Sequence, residues 1–449
     1  MKVLQLLIGG SQRTSTVKKN VIASILIKGI SIAVSFFIVP LTLGFVDKEL
    51  YGIWLTLSSI VIWLNFFDVG FTLGLKNKLA ESVALEDWDR GKKLVSTTYA
   101  IMCMIFLPLM VLLFVVIPFV DWCGFLNVDE KFREDIVMTM YPLVACFCLQ
   151  MILNVIVNVI AANQLTAFST SFNVIAHLLS LIIIVVLPYL TKPSLFALSL
   201  AISMPPIFVL AFASFYLYRK KYSKIKPSAS SIDYSYSKEL FSLGGKFFII
   251  QIQGVILYQT TNILISNIAS PTDVSVYNIA YKYLSTGMMV YSIFMGPLWP
   301  AFTDAYTKKD FEWMKRMYKK MAYVCLLTIA GFVVMAIISP IFYKIWIGDK
   351  LDVPFIMTLV VTIYMSVHSW DMLQVTLVNG MGKIKLQTYV VLLGLFLNIP
   401  LSFFFGRTLG LGAIGVTLSM TAISIVYSIF FTIQINLLLR NKAEGIWNK

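Results

Sequence analysis

Charged and metal-binding side chains are scarce in this sequence. Only 13% of its 449 residues are charged, against about 25% in an average soluble domain. Its two histidines and five cysteines do not occur at the spacing of a zinc site or a disulfide framework, so we predict no metal site and no disulfide. A glycine-rich loop followed by Lys and Ser or Thr is also absent, which argues against a nucleoside triphosphate as the energy source.

Long apolar runs take the place of the missing charge. The chain is 59% hydrophobic with a mean hydropathy of +0.84, and many runs continue for about twenty residues, the length that crosses a bilayer as a helix. We therefore predict an all-α, polytopic membrane protein with about twelve transmembrane helices. The predicted spans are 20–46, 50–75, 93–118, 136–163, 166–190, 194–218, 240–268, 275–303, 317–346, 353–380, 384–406 and 411–438.

The net charge of +14 is distributed unevenly along the chain. Seven of the 36 Lys and Arg residues fall in the loops on one side of the predicted membrane and three inside the spans, so most lie in the termini and the loops on the other side. The positive-inside rule then places both termini in the cytoplasm. Because the basic residues face the anionic lipid leaflet, we predict no nucleic acid partner.

A polar interval from Arg219 to Lys238, RKKYSKIKPSASSIDYSYSK, separates six spans from six. It is basic at first and then rich in Ser and Tyr, which is typical of a linker that lies at or near the membrane surface. We predict an N-terminal lobe at 1–218, a cytoplasmic linker at 219–238 and a C-terminal lobe at 239–449.

The two halves resemble one another. DKELYGIW begins at Asp47 and DVSVYNIAY at Asp273, and each half later carries a Trp-x-Gly tripeptide, at Trp122 and Trp346. Since six spans separate the copies, both have the same orientation in the membrane, as in a parallel repeat. The pattern predicts two pseudo-symmetric six-helix lobes around a central cavity.

The stretch from Leu50 to Glu81, LYGIWLTLSSIVIWLNFFDVGFTLGLKNKLAE, resembles the second transmembrane segment of O-antigen/polysaccharide unit flippases. These belong to the multidrug/oligosaccharidyl-lipid/polysaccharide (MOP) exporter superfamily, with the multidrug (MATE) exporters and the lipid II flippases. SVYNIAYKYLS and GPLWPAFTDAY in the second half resemble the same family, and the resemblance covers nearly the whole chain.

This resemblance implies a membrane transporter rather than an enzyme. Two lobes would alternate their access to move an undecaprenyl-pyrophosphate-linked oligosaccharide from the cytoplasmic to the outer face of a bacterial inner membrane, for O-antigen, lipopolysaccharide or other surface polysaccharide synthesis. It implies an H⁺ or Na⁺ gradient as the candidate driving force, with no organic cofactor. Other glycan-assembly membrane proteins are candidate partners.

Several cations and amides fall inside the predicted spans. Ammonium groups suit a pyrophosphate and amides suit sugar hydroxyls, so these residues are candidates for a wet cavity. The alternatives are that Lys246 and Lys282 extend to the membrane surface, and that the amides join helices to one another. The predicted substrate-binding residues are Lys28, Lys246, Lys282, Asn154, Asn158 and Gln253.

Two acids and one histidine in the spans are candidates for ion coupling or gating. Asp68 lies at about the same depth as Lys28, and the pair is either a structural ion pair or a cation for phosphate with its release partner. His368 and Asp371 are three residues apart on one helical face, so they form either a protonation pair or an ion pair. We predict that Asp68, Asp371 and His368 couple or gate transport.

Other functions make different demands on the sequence. A MATE-type cation-coupled exporter of small molecules is the main alternative, but three lysines against two aspartates in the spans favour an anionic cargo. Lipid II flippases resemble fourteen spans with an arginine-rich first helix, whereas the first span here has only Lys28. A membrane glycan polymerase or transferase needs catalytic residues on the outer loops. A scaffold for glycan-assembly enzymes would tolerate loss of the cavity charges.

Overall fold

The computed structural model describes residues 12–68, 70–163, 165–241, 259–295 and 298–448, and for 12–25, 28, 66, 84, 166–167, 299–300 and 304 it describes the backbone alone. Within these residues every regular element is a helix. In chain order the α-helices are α1 Gln12–Phe45, α2 Lys48–Ile62, α3 Phe71–Ala84, α4 Trp88–Val116, α5 Trp122–Leu126, α6 Arg133–Leu153, α7 Val155–Ala162, α8 Thr166–Leu190, α9 Leu195–Arg219, α10 259–268, α11 Pro271–Met295, α12 Leu298–Thr307, α13 Phe311–Trp346, α14 Phe355–Met381, α15 Lys385–Phe403 and α16 Gly412–Leu439.

Eight helical stretches of the described chain are long and apolar enough to cross a membrane. A shorter apolar helix, Gly29–Phe45, lies within α1. The expected all-α, multi-pass membrane protein is thus confirmed, while most of the predicted span 240–268 lies outside the described residues. The eight stretches are Trp88–Phe119, Glu130–Ala162, Phe168–Leu190, Leu195–Arg219, Phe311–Trp346, Phe355–Met381, Lys385–Thr408 and Gly412–Leu439.

The chain divides into two compact units. Unit 1 comprises Met1–Asp47, Leu57–Gly124 and Asp129–Gly254, and unit 2 comprises Lys48–Thr56, Phe125–Val128 and Val255–Lys449. In unit 1, α8 packs on α1 and α9, and α3 packs on α4 and α7. In unit 2, α14 is central and contacts α11, α12, α13 and α16. The lobe and linker boundaries at 218 and 238 stay a prediction.

The LYGIW string has a packing role in unit 2. A Cβ at Gly52 would lie 1.7 Å from the carbonyl oxygen of Pro271, so only glycine permits this contact between α2 and α11. Ser275 donates a hydrogen bond to the carbonyl oxygen of Lys48 at 2.7 Å, and Tyr51 is buried beside the contact point. The residues that carry the family resemblance therefore hold two helices at close approach.

The predicted span 50–75 differs from a single helix. Its first helix ends at Ile62, a 3₁₀ turn follows over Trp63–Asp68, and Gly70 has a φ of 84° before α3 begins. The carboxylate of Asp68 accepts hydrogen bonds from Thr72, from its backbone N–H at 3.1 Å and from its hydroxyl at 2.6 Å. Asp68 thus caps α3, which lowers the energy of a helix start inside an apolar segment.

The sequence repeat recurs as a backbone repeat at the turns that precede α4 and α13. Glu86 and Lys309 both have a φ of 56°, in the left-handed region that few residues other than glycine adopt. The next residue in each case, Asp87 or Asp310, accepts a hydrogen bond from the backbone N–H three positions later, at 3.0 Å. The same turn and cap therefore start a long helix in each half.

Candidate functional site

Three of the predicted binding residues fall where the structure describes no side chain. Lys28 lies in α1, but its side chain is not among those described, and Lys246 and Gln253 lie outside the described residues. Their assignment to a cavity stays a prediction. The side chains of the other six predicted residues are described. Lys282, His368 and Asp371 lie in unit 2, and Asp68 lies just before α3. Asn154 and Asn158 lie where α6 meets α7.

Lys282 is a half-buried cation in the middle of α11. One turn earlier the side-chain amide of Asn278 donates to the side-chain oxygen of Asn262 at 2.8 Å, and Ser285 donates to the carbonyl oxygen of Lys282 at 2.9 Å. Among the described residues the ammonium group of Lys282 has no ion pair and no hydrogen bond. Lys282 falls in the predicted span 275–303, where a cation without a protein anion is costly and an anionic ligand would offset that cost.

Asp371 is a buried carboxylate in α14, with 5% of its surface exposed. Its Oδ1 atom accepts a hydrogen bond from the hydroxyl of Ser428 in α16, and Ser424 lies close to the same carboxyl group one turn earlier. The Oδ2 atom has no hydrogen-bond partner among the described residues. An unpartnered carboxylate oxygen of this kind is able to take up a proton or a monovalent cation.

His368 and Asp371 have different described partners, although both lie on α14. The imidazole ring of His368 stacks on the ring of Tyr364, with centroids 5.6 Å apart and planes inclined by 7°. The described hydrogen bond of Asp371 runs instead to Ser428. These two described contacts do not join His368 to Asp371, and a joint role in proton transfer stays a prediction.

Gln374 is a functional candidate that the sequence analysis missed. Its side chain is fully buried, its amide nitrogen donates to the hydroxyl of Tyr318 at 3.0 Å, and its Oε1 atom has no partner among the described residues. Gln374 is three residues beyond Asp371, so it extends the polar stripe of α14 by one turn. The three-residue spacing from Asp371 could have identified Gln374 from the sequence.

Asn154 and Asn158 lie in unit 1, where a long helix is interrupted. α6 ends at Leu153, α7 begins at Val155, and the side-chain amide of Asn158 donates to the carbonyl oxygen of Asn154 at 3.3 Å. Both side chains are half-buried. The Asn154 carbonyl also accepts from the backbone N–H of Val157 at 3.1 Å, so the amide of Asn158 adds a second hydrogen bond at this irregular turn.

An apolar groove of about 560 Å³ lies beside the Asp371 carboxylate in unit 2. Ser428 belongs to its wall, and Trp370 donates from its indole nitrogen to the hydroxyl of Thr432 at 3.0 Å. Aliphatic side chains supply most of the surface, which is suited to hydrocarbon. The lining residues are Ile329, Ser366, Val367, Trp370, Ile425, Ser428, Ile429, Thr432 and Ile433.

Solved structures with the same fold are transporters. An inward-facing MATE family transporter of the MOP superfamily superposes with a TM-score of 0.73 at 12% identity, over 92% of this chain and 100% of that one. A MOP superfamily transporter from Pyrococcus furiosus, whose title describes a binding pocket of reverse polarity, gives 0.64 at 11% identity over 99% of each chain. At this identity the likeness shows the fold alone.

Two sequence relatives are named as O-antigen transporters. A Salmonella typhi protein named "Putative O-antigen transporter" is 20% identical over 82% of this chain and 84% of its own length. A Salmonella typhimurium protein of the same name is 20% identical over 93% and 95%. The family model described as "Polysaccharide biosynthesis protein" matches residues 17–306, well over half of the sequence. The chain belongs to this polysaccharide biosynthesis protein family, within the MOP exporter fold.

Proposed function

We propose that this protein is a flippase for a lipid-linked oligosaccharide. It moves an undecaprenyl-pyrophosphate-linked repeat unit from the cytoplasmic to the outer face of the bacterial inner membrane, for O-antigen or another surface polysaccharide. The names of the Salmonella relatives and the family match support a polysaccharide cargo. The prenyl carrier follows from the family resemblance.

The observation that carries the proposal is the unneutralised ammonium group of Lys282. It is half-buried in α11, within the predicted span 275–303, and has no described protein anion. A pyrophosphate would supply the missing negative charge through charge-assisted hydrogen bonds. An organic cation, the typical cargo of a multidrug exporter, would instead be repelled, so this group favours an anionic headgroup.

Asp371 gives the proposed transporter a place for a coupling ion. Its Oδ2 atom is buried and unpartnered among the described residues, and an H⁺ or Na⁺ bound there would alter the charge of unit 2 during transport. We propose that both termini lie in the cytoplasm, that residues 219–238 link two lobes, and that the lobes alternate their access to the two faces. Lys28, Lys246, Gln253, Asn154 and Asn158 would contribute to headgroup binding, with Asp68 and His368 in gating.

Headgroup translocation in proteoliposomes tests the proposal. Purified protein is reconstituted with lipid-linked oligosaccharide, and an impermeant sugar-oxidising reagent reports how much headgroup reaches the outer face. Lys282→Met removes the charge and keeps the aliphatic stem. Loss of one charge-assisted hydrogen bond costs about 1.5–3 kcal/mol, so we expect translocation to fall by about 10- to 150-fold.

Two controls make the result specific. Lys282→Arg keeps the charge and should retain most of the activity. Lys344→Met removes an exposed lysine near the end of α13 and should be neutral. Protein-dependent uptake of ethidium with no headgroup translocation, in the presence of either ion gradient, would overturn the flippase in favour of a cation exporter. Full activity in Lys282→Met would separate Lys282 from the cargo.

A further inference from the structure

The end of α9 carries a group of basic side chains that have no described acidic partner. The turn that follows the helix reads RKKYSKIK from 219 to 226, and we call it the basic turn. All of its charged side chains are exposed, and none forms an ion pair with a described acidic residue. The charged residues of the basic turn are Arg219, Lys220, Lys221, Lys224 and Lys226.

The backbone of the basic turn is fixed by hydrogen bonds. The N–H groups of Lys220 and Tyr222 both donate to the carbonyl oxygen of Leu217, at 3.2 and 2.9 Å, and Ile225 donates to the carbonyl oxygen of Tyr222 at 3.2 Å. Tyr222 and Ile225 are buried, with 4% and 2% of their surface exposed. A Cβ at Gly91 would lie 3.1 Å from Ile225, so the turn packs tightly on α4. The cations are therefore presented from a defined surface.

Aromatic rings place the basic turn at the membrane boundary. The guanidinium group of Arg219 lies 3.9 Å from the ring centre of Phe215, which is itself exposed on α9. The ammonium group of Lys224 lies 4.9 Å from the ring of Trp88, the first residue of α4. Both helices are long and apolar enough to span a membrane. Aromatic residues at the ends of such helices mark the level of the lipid headgroups.

We propose that the basic turn is a binding site for the phosphate group of anionic phospholipids. Arg219 offers a planar fork of donors for phosphate, and the lysines add point charges at the same level.

Phospholipid is the occupant that mass action favours. It is far more abundant in the leaflet than any lipid-linked sugar, so it fills a shared phosphate site first. The site does not depend on the cargo proposed above. It would be occupied throughout transport and would hold the ends of α4 and α9 at the headgroup level.

Native mass spectrometry of the full-length protein tests the site. Detergent-purified protein is titrated with phosphatidylglycerol or, in a parallel series, with zwitterionic phosphatidylcholine. The variant replaces Lys220, Lys221 and Lys224 by Ala together. We expect the apparent affinity for phosphatidylglycerol to fall roughly tenfold or more, with little change for phosphatidylcholine, and wild-type binding to weaken as salt rises.

A matched variant removes the same charge from cations that already have acidic partners. Lys93, Lys131 and Lys315 pair with Asp89, Asp129 and Glu312 at 3.0 to 3.1 Å, and all three lysines are replaced by Ala. This control should keep wild-type phosphatidylglycerol binding. Equal loss in both triple variants, or no loss in either, would overturn the proposal. Unchanged elution and helicity of the variants exclude misfolding as the cause.

Discussion

Glu239, the first residue after the predicted linker, forms ion pairs with Lys78 and Arg90 that we call the clamp, and removing its charge gives a quantitative prediction. Its Oε1 atom accepts from the guanidinium group of Arg90 at 2.6 Å and pairs with the ammonium group of Lys78 at 3.0 Å. The three side chains are only 21–29% exposed. A Cβ at Gly74 would lie 2.1 Å from the carbonyl oxygen of Leu240, so the chain beside the clamp packs directly on α3.

Glu239→Gln keeps the shape of the side chain and removes its charge. Exposed ion pairs contribute about 0.2–1 kcal/mol each, and hydrogen bonds to charged groups about 1.5–3 kcal/mol. For two partly exposed contacts we expect a loss of about 2 kcal/mol in the free energy of unfolding. For a cooperative unit of roughly 200 residues this corresponds to about 4–8 °C in the melting temperature, measured on the purified chain in a non-ionic detergent.

The pH dependence of this difference is a stricter test. Burial raises the pKa of Glu239, but the hydrogen bonds and charges of Lys78 and Arg90 outweigh burial and hold it below its ordinary value of 4.5. A carboxyl group with a lowered pKa stabilises the fold above its unfolded-state pKa, and this contribution is lost as the pH falls through the folded-state pKa. The difference between wild type and Glu239→Gln should therefore be constant from pH 7 to about pH 5 and shrink below that.

Asp89→Asn supplies the comparison, because its ion pair with Lys93 at 3.0 Å leaves the Asp89 side chain 77% exposed. That change should cost less than about 0.5 kcal/mol. The reasoning fails if Glu239→Gln is no more destabilising than Asp89→Asn. It also fails if the Glu239→Gln difference is as large at pH 4 as at pH 7.

Three further changes test single contacts by thermal denaturation. Ser428→Ala removes the described hydrogen bond to the buried carboxylate of α14 and should cost about 1–3 kcal/mol; an unchanged melting temperature would contradict that contact. Gly394→Ala places a Cβ 1.9 Å from the hydroxyl of Tyr427, so we expect a loss of about 1–3 kcal/mol, and a neutral result would show that the ring moves freely. Thr97→Val leaves the N–H and carbonyl groups of Asp233 without their partner and should cost about 1–3 kcal/mol and speed proteolysis near 233, whereas equal cleavage rates would refute it.

The family and the all-α class could be predicted from the sequence because long stretches of residues determine both. Continuous apolar runs predict membrane helices whatever their packing, and the string from Leu50 to Glu81 is long enough to identify the family, which the match over residues 17–306 confirms. The repeat between the two halves was also recognisable in the sequence. The equal φ values at Glu86 and Lys309 show that the backbone repeats there as well.

Interruptions of the helices were not predicted, because hydropathy does not report them. Asp68 and Thr72 have the spacing of one helical face, yet their hydrogen bonds start a new helix at that point. Asn154 and Asn158 also have the spacing of one turn, and Asn154 forms the irregular turn where α6 meets α7. A polar side chain in an apolar segment either faces a cavity or satisfies a broken backbone, and spacing alone does not separate the two.

Contacts between distant parts of the chain could not be predicted from the sequence either. Asp371 was identified as a candidate from its position inside a predicted apolar span, but its partner Ser428 lies on a different helix. Ser424 and Ser428 are ordinary residues for a membrane helix, where small hydroxyl side chains commonly bond within the helix. Their significance comes from the packing of α14 on α16, which no local pattern encodes.

The turn shared by the starts of α4 and α13 has a consequence for the ancestry of the chain. SVALEDW at 82–88 and AYTKKDF at 305–311 have only the aspartate in common, yet they fold into the same hydrogen-bonded loop. Two nearly unrelated sets of side chains thus form the same backbone loop, as expected if the halves arose by tandem duplication. We therefore expect the two segments to be interchangeable: a protein that carries either segment at both positions should still fold.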